Sequence, residues 1–325
     1  MPNCPQLILP QQIITAKGTK LTSAPTMTAG TRAHIEPITL TMIVVCYLGW
    51  GLATAWLPLL SLTLAIPVTA IFITLHSSLQ HEVLHGHPTQ NRRFNELLVF
   101  PAPGLLVPYQ RFRDLHIAHH QDEILTDPYD DPESNYLDPI VWSGLPGWQQ
   151  RLLRFNNTLL GRILLGPAIS TIAMLKSDAR QILRGDRRVA MAWILHLAGL
   201  VPVFWWLVAV ATLPFWAYLL AAYLGYGLLK IRTYLEHRAH AIAPGRTVIV
   251  EDRGLLALLF LNNNFHLVHH SHPKVPWYQL PGLYDADRET YLNRNQHYHY
   301  RSYAEVFGTH LLRTKDPVPH PLMRN

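Results

Sequence analysis

Histidine is the residue type that carries most of the potential chemistry in this sequence. The chain contains 19 histidines, and eight of them form three clusters. The clusters are His81/His85, His116/His119/His120 and His266/His269/His270. Gaps of three or four residues stack side chains on one face of a helix, which turns once every ~3.6 residues. Because imidazole binds zinc, copper, iron and nickel, the spacing predicts a multi-histidine metal site, with ligands enough for two metals, but does not name the metal.

The elements that position these clusters are predicted to be membrane helices. The 325-residue chain is 49% hydrophobic and only 15% charged. No Asp, Glu, Lys or Arg occurs from Pro37 through His81 or from Val189 through Leu229. Each window is about twice the ~20 residues that one helix needs to cross a bilayer, so each predicts a hairpin of two spans. The turns are expected near Trp56-Leu57-Pro58 and Thr212-Leu213-Pro214, since proline readily ends a helix at a turn.

We therefore predict an all-α polytopic membrane protein, in which four transmembrane helices in two hairpins carry a cytoplasmic, histidine-rich helical cap. A polar N-terminal lead-in (residues 1–36) precedes a single membrane domain (37–325). Its expected parts are a hairpin (37–80), a cytoplasmic segment (81–188), a second hairpin (189–231) and a cytoplasmic C-terminal segment (232–325). Lys and Arg flank both hairpins and are absent from their turns. The positive-inside rule then places both termini and every histidine cluster in the cytoplasm.

Two further segments bear on this topology. The apolar stretch Leu159–Leu175 is interrupted by Arg162 and by Gly166-Pro167. A crossing there would put the third histidine cluster on the opposite side from the first, so we expect this stretch to lie at the cytoplasmic interface. The proline-rich segment Phe100–Pro108 is expected to be an irregular or interfacial connection.

The first histidine cluster also allows a protease interpretation. His81-Glu82-Val83-Leu84-His85 is a literal H-E-x-x-H, in which two histidines bind zinc and the glutamate is the general base of a metalloprotease. Such a site takes three protein ligands, which leaves five or more clustered histidines unexplained. A metal carrier or sensor is another alternative, but it would place histidines along the spans. No nucleic-acid motif is present, and Cys4 and Cys46 are too few for a thiolate site.

The second and third clusters share the spacing H-x-x-H-H, as His116-Ile117-Ala118-His119-His120 and His266-Leu267-Val268-His269-His270. With the first pair, and with the continuation His269-His270-Ser271-His272-Pro273, the chain resembles the membrane-bound fatty acid desaturase superfamily. That superfamily includes related hydroxylases and carotenoid ketolases. The resemblance extends from about Ile38 to Leu283.

The resemblance implies a pair of non-haem irons, dioxygen as co-substrate and a lipid or acyl-chain substrate in the membrane. It also implies a ninth ligand, His237, at the cytoplasmic end of the fourth span, although Thr233 stands where some members have an asparagine. Desaturation of an acyl chain is the leading expectation, and hydroxylation or ketone formation on a lipid or carotenoid is the alternative. Electrons would come from a separate donor of the ferredoxin or cytochrome type, and the expected location is a bacterial inner membrane.

Residues beside the clusters are expected to support the site rather than bind the metal. We expect His87 to have a structural or supporting role and His272 to be no ligand, and Glu82 to contact a ligand from outside. An amide among Asn262, Asn263 and Asn264 is expected either to hold an imidazole or a metal-bound water, or to cap the following helix.

Other polar residues of the cytoplasmic part have simpler expected roles. The acidic stretch from Asp122 to Glu133 is expected to be a solvated loop, and the alternative is that one of its carboxylates supports a metal-binding histidine. Two basic pairs, Arg92/Arg93 and Arg111/Arg113, are expected to contact anionic headgroups or an acidic electron carrier. His310 and His320 are treated as surface residues.

Overall fold

The computed structural model describes residues 35–120 and 123–323. Within this part the chain is mostly helical, with one pair of short parallel strands. Residues 1–34 of the polar lead-in, which include Cys4, and Asp122 lie outside the described residues.

The helices follow one another along almost the whole described chain. Those of the first half are α1 (Pro37–Ala55), α2 (Leu57–Leu60), α3 (Leu62–Leu84), α4 (Arg92–Leu98), α5 (Tyr109–His119), α6 (Pro139–Ser143) and α7 (Gly147–Asn156). Those of the second half are α8 (Leu159–Leu183), α9 (Arg187–Ala209), α10 (Phe215–Thr233), α11 (Leu255–Leu259), α12 (His266–Ser271), α13 (Leu280–Ala286), α14 (Arg288–Arg294) and α15 (Tyr303–His310). Strands β1 (Ile249–Val250) and β2 (His299–Tyr300) pair in parallel, and Ala243–Arg246 and Trp277–Gln279 are short 3₁₀ helices.

Four helical stretches of the described chain are long and apolar enough to cross a membrane. They are α1 together with α2, and α3, α8 and α9. The number equals the predicted number, but α8 takes the place that the sequence prediction gave to α10. α8 is one continuous helix of 25 residues that contains Pro167. α10 has only 19 residues, and its tyrosines, glycines and two basic residues reduce its apolar character.

The two predicted turns lie side by side. The backbone N–H groups of Thr212 and Leu213 donate to the carbonyl of Thr54 at 3.1 and 3.0 Å. Trp206 Nε1 donates to Thr54 Oγ1 at 2.9 Å. Both turns therefore lie at one end of the helices, while the histidine-bearing end of α3 lies at the other.

α10 packs mainly against α3 and α8. Thr74 Oγ1 donates to the carbonyl of Gly225 at 2.9 Å. A Cβ atom at Gly225 would lie 3.0 Å from the carbonyl oxygen of Ala70, so a larger residue would push the helices apart. Small residues permit this kind of close helix contact.

The segment Phe100–Pro108 enters the space between α9 and α10. It is irregular, as expected, but it lies inside the helix bundle. His196 Nε2 on α9 donates to the carbonyl of Leu105 at 2.9 Å, and Tyr218 Oη on α10 donates to the carbonyl of Pro103 at 2.7 Å. Irregular backbone at membrane depth is tolerated where protein groups satisfy it in this way. The segment therefore lies between the two helices that were predicted to form the second hairpin.

The expected surface positions of His310 and His320 are wrong. His310 is buried and its Nε2 lies 2.8 Å from Tyr300 Oη. His320 is also buried, with Nε2 at 3.2 Å from Thr126 Oγ1. The C-terminal residues thus pack against earlier parts of the chain, including Thr126 beyond the second histidine cluster, which the local sequence does not indicate.

The expected headgroup contact of Arg111 is likewise wrong. Arg111, on α5, is buried and its NH2 donates to Asp178 Oδ1 on α8 at 2.7 Å. The pair joins the helix of the second histidine cluster to α8.

Candidate metal centre

Four helix ends bring the predicted ligands together. His81 and His85 lie one turn apart at the C-terminal end of α3, where Gly86 with φ +104° turns the chain. The second cluster occupies the last turn of α5 and its C-cap. The third cluster lies on the short helix α12, and His237 follows the end of α10.

The nine predicted histidines converge into two groups. Group A consists of His81, His85, His116, His120 and His269. Group B consists of His119, His237, His266 and His270. Within each group, one ring nitrogen of each residue lies within 4.8 Å of those of the others. The adjacent residues His119 and His120 belong to different groups, so the second and third sequence clusters each contribute to both.

The spacing of the ring nitrogens fits a metal ion in each group. In group B, His237 Nε2 lies 2.8 Å from His119 Nε2 and 3.1 Å from His266 Nε2. In group A, His120 Nε2 lies 3.2 Å from His269 Nε2. Nitrogens that bind one ion at about 2.1 Å lie ~3 to ~4 Å apart, which agrees with these distances.

Buried nitrogens without a partner also indicate a ligand in group A. The Nε2 atoms of His81 and His85 are buried and make no hydrogen bond within the described part of the chain. A buried polar atom without a partner costs free energy and needs an explanation. A metal ion would satisfy both atoms.

Carboxylates orient two ligands from outside. His119 Nδ1 lies 2.7 Å from Asp131 Oδ1, and His116 Nδ1 lies 3.0 Å from Glu133 Oε1. A carboxylate at Nδ1 directs Nε2 inward and raises the basicity of the ligand. The leading prediction of a solvated loop is therefore wrong at these two positions, and the structure agrees with the alternative of a supporting carboxylate.

Neutral oxygens hold two further ligands in the same way. His266 Nδ1 lies 3.2 Å from Asn263 Oδ1, which confirms that an amide of the asparagine run holds an imidazole. His237 Nδ1 lies 3.3 Å from Thr247 Oγ1. Thr247 was not found from the sequence, since it reaches His237 only through a tertiary backbone bridge.

The electrostatics of the site favour neutral imidazoles at most positions. Burial and the neighbouring imidazoles lower the pKa values of His237, His266 and His269 well below the ordinary value. These side chains are therefore ready to bind a cation at neutral pH. Burial alone would lower the pKa of His119, but the carboxylates of Glu133 and Asp131 outweigh it and raise that pKa to about 9. The same carboxylates would offset the charge of a bound metal.

The remaining candidates lie outside both groups. His87 Nδ1 contacts Glu36 Oε1 at 2.5 Å, and His272 is exposed and contacts Tyr291 Oη at 3.1 Å. Glu82 is buried and accepts a hydrogen bond from the backbone of Trp277 at 3.1 Å. These contacts agree with the structural and supporting roles expected for His87 and Glu82. Thr233 ends α10 and belongs to neither group.

The variant Asp131→Ala is expected to weaken metal binding by group B about 10- to 100-fold, because His119 loses the carboxylate that orients it. Metal titration of the purified protein measures this change. Asp130→Ala removes an exposed carboxylate from the same loop and is the matched control. Equal metal affinity in both variants would show that Asp131 does not orient a ligand.

Comparison with known proteins agrees with this site. The model of the fatty acid desaturase family matches residues 54–302, a range that contains all nine histidines. The chain belongs to the fatty acid desaturase family. This result confirms the resemblance found in the histidine clusters, and members of the family are known to use a pair of irons.

Two relatives of this desaturase-family chain are similar to it over most of their length. A β-carotene ketolase from Paracoccus sp. (strain N81106 / MBIC 01143) is 27% identical over 243 residues, which cover 71% of this chain and 82% of the ketolase. A β-carotene ketolase from Paracoccus sp. (strain PC1) is 25% identical over 257 residues, which cover 74% of this chain and 88% of the ketolase.

Proposed function

We propose that this desaturase-family protein is a membrane-bound oxygenase with two non-haem irons, one in group A and one in group B. The convergence of nine histidines into two compact groups is the observation that carries the proposal. When bound, such a pair of metals supplies the activation of dioxygen that oxidation of an unreactive C–H bond requires. Group A offers five ligands and group B offers four. The two ions would therefore differ in the number of coordination positions left for other ligands.

The protein's own residues hold and isolate this centre. Asp131 and Glu133 orient ligands, and their negative charge offsets that of the metals. Most of the histidines are buried, so bulk water has little access to the reacting groups. Electrons are proposed to come from a separate one-electron carrier of the ferredoxin or cytochrome type.

We place formation of a ketone on a carotenoid-like ring ahead of acyl desaturation as the reaction. The two ketolase relatives align over 82% and 88% of their length, so the likeness includes most of each ketolase. Acyl desaturation is the second candidate, and the match to the desaturase family model supports it. Both substrates are apolar molecules that dissolve in a bilayer.

For the topology, we propose that α1, α3, α9 and α10 cross the membrane and that α8 lies along its surface. At the start of α8, Leu160 N–H donates to the carbonyl of Leu311 in the cap at 2.9 Å. Near its end, Asp178 binds Arg111 on α5, the helix that carries the second histidine cluster. A crossing helix would have its two ends on opposite membrane faces, whereas both ends of α8 contact the histidine-bearing side. The basic flanks of the hairpins support a cytoplasmic position for that side, in a bacterial inner membrane.

The position of Glu82 argues against a zinc protease. The general base of an H-E-x-x-H protease must reach the water bound to the metal. Here Glu82 Oε2 accepts from the Trp277 backbone, and Oε1 lies 3.9 Å from His81 Nδ1, whereas the buried His81 Nε2 has no hydrogen-bond partner within the described chain. Glu82 thus lies on the outer side of His81.

Product analysis tests the proposal. The full-length protein, in membranes that contain β-carotene and an electron donor, is expected to yield a product that gains one oxygen and loses two hydrogens. Acyl lipids extracted from the same membranes are expected to remain unchanged. An acyl product that loses two hydrogens without gaining oxygen would instead establish desaturation. A product of neither kind, with zinc in the purified protein, would contradict both oxidations.

A further inference from the structure

A small polar cavity borders the metal centre inside the helix bundle. It lies between α3, the inserted segment Phe100–Pro108 and α10, and its volume is about 10 Å³, enough for about one water molecule or one hydroxyl group. Ser77 and Gln80 of α3 line it. Gln80 directly precedes His81, and Ser77 lies one helical turn before it, at about 5–6 Å between Cβ atoms. The cavity is therefore adjacent to a proposed ligand of group A.

Two of the three polar side chains on the α3 side of the cavity lack partners, whereas the third, His76, lies 3.1 Å from Tyr47 Oη through its Nε2. Neither the Ser77 hydroxyl nor the Gln80 amide makes a hydrogen bond within the described part of the chain, although both side chains are half-buried. Polar groups that bulk water does not reach ordinarily bond to another protein group or to an ordered water molecule. A purely apolar chain in this position would leave them unsatisfied.

The opposite wall adds a hydroxyl donor. Tyr226 of α10 lines the cavity, and its hydroxyl group can both donate and accept a hydrogen bond. A Cβ atom at Gly104 would lie only 3.0 Å from Tyr226 Oη, so glycine keeps this space open. The inserted segment is fixed beside it by the hydrogen bond from His196 to Leu105. The cavity is thus a built polar site and not a packing defect.

Formation of a ketone passes through an alcohol, which such a site can bind. A methylene group reacts with one dioxygen, two electrons and two protons to give an alcohol and one water. The same carbon then reacts with a second dioxygen, two electrons and two protons to give a geminal diol and water, and the diol loses water to become the ketone. The electrons come from the one-electron carrier. The alcohol must therefore remain beside the metal centre for the second oxidation.

We propose that Ser77, Gln80 and Tyr226 hold the hydroxyl group of this alcohol intermediate and so favour its second oxidation over its release. This inference rests on the proposed ketolase function. The hydrocarbon substrate makes no hydrogen bond to these groups, whereas the alcohol satisfies them and is retained. The three residues thus determine whether the product is an alcohol or a ketone.

The ratio of alcohol to ketone tests the inference. Ser77→Ala, Gln80→Leu and Tyr226→Phe are each expected to raise this ratio up to about tenfold for β-carotene, with the metal content nearly unchanged. Ser77→Thr keeps a hydroxyl group and is expected to preserve the wild-type ratio. With the alcohol supplied as substrate, the three variants are expected to show a raised KM.

Two controls match these variants. Ser78→Ala removes a neighbouring hydroxyl that bonds the Thr74 carbonyl and does not line the cavity. Tyr223→Phe removes a hydroxyl on α10 that bonds the Leu164 carbonyl. Both are expected to keep the wild-type ratio. An unchanged ratio in Ser77→Ala, Gln80→Leu and Tyr226→Phe, with ketone still formed by the wild type, would overturn the inference. Absence of any oxidised carotenoid from the wild type would overturn it together with the proposed function.

Discussion

Replacement of a single proposed ligand is expected to remove one metal and nearly all activity. His269→Ala takes a ligand from group A, and His237→Ala takes one from group B. Each variant is expected to keep about one of the two metals and to form product at least ~100-fold more slowly. This loss exceeds that expected when only a residue that orients a ligand is replaced. One metal is retained because the two groups share no ligand, so each substitution affects only one metal position. Activity is lost because the proposed oxidation needs a metal in both positions.

Metal analysis and product analysis of the detergent-purified variants measure these effects. His272→Ala is the matched control, because His272 is adjacent to the third cluster but exposed and outside both groups. It is expected to retain about two irons per chain, one in each group, together with full activity. A single zinc ion that survives both ligand substitutions would eliminate the di-iron proposal and favour the protease.

The ligand set could be found from the sequence because its spacing is local. Gaps of three and four residues place His81 with His85 and His266 with His269 on one helical face, whatever the rest of the fold does. The division into two groups could not be found in this way. His119 and His120 are neighbours in sequence but point to different groups, and only the packing of four helix ends decides which.

The outer partners of the ligands depend on contacts over longer distances. Asp131 lies 12 residues beyond His119, in an acidic stretch whose composition alone fits a solvated loop. Thr247 reaches His237 through a backbone bridge that no local pattern predicts. Composition therefore identified the acidic segment but not its role.

The number of apolar helices could also be predicted from the sequence, but their arrangement could not. A charge-free window has the right length for two spans, yet it does not say which helix packs beside which. Phe100–Pro108 enters the bundle because His196 and Tyr218 satisfy its carbonyl groups. Those two side chains lie about 90 to 115 residues away in sequence, so the insertion is a tertiary effect.

Loss of the buried pair between α5 and α8 is expected to be the largest single effect on stability. Arg111 Nε and NH2 donate to Asp178 at 2.7 to 3.0 Å, and Trp193 Nε1 donates to the same carboxylate at 2.9 Å. Asp178 is 1% exposed and Arg111 is 8% exposed. Asp178→Ala leaves the guanidinium buried without a counter-charge, which costs about 3–5 kcal/mol. The thermal unfolding midpoint in detergent is expected to fall accordingly.

The exposed pair of Arg253 and Asp285 provides the control, since its side chains are 45% and 61% exposed. Asp285→Ala is expected to change stability by about 1 kcal/mol or less, because solvent screens exposed charges. The double variant Arg111→Leu/Asp178→Leu is expected to be more stable than Asp178→Ala, because it buries no unpaired charge. Equal unfolding temperatures of Asp178→Ala and Asp285→Ala would show that water reaches Arg111 and that this pair does not anchor α8 to α5. Stability restored in the double variant would show that the unpaired guanidinium group causes the loss in Asp178→Ala. This result would confirm that Arg111 is buried where α8 contacts the helix that carries His116, His119 and His120.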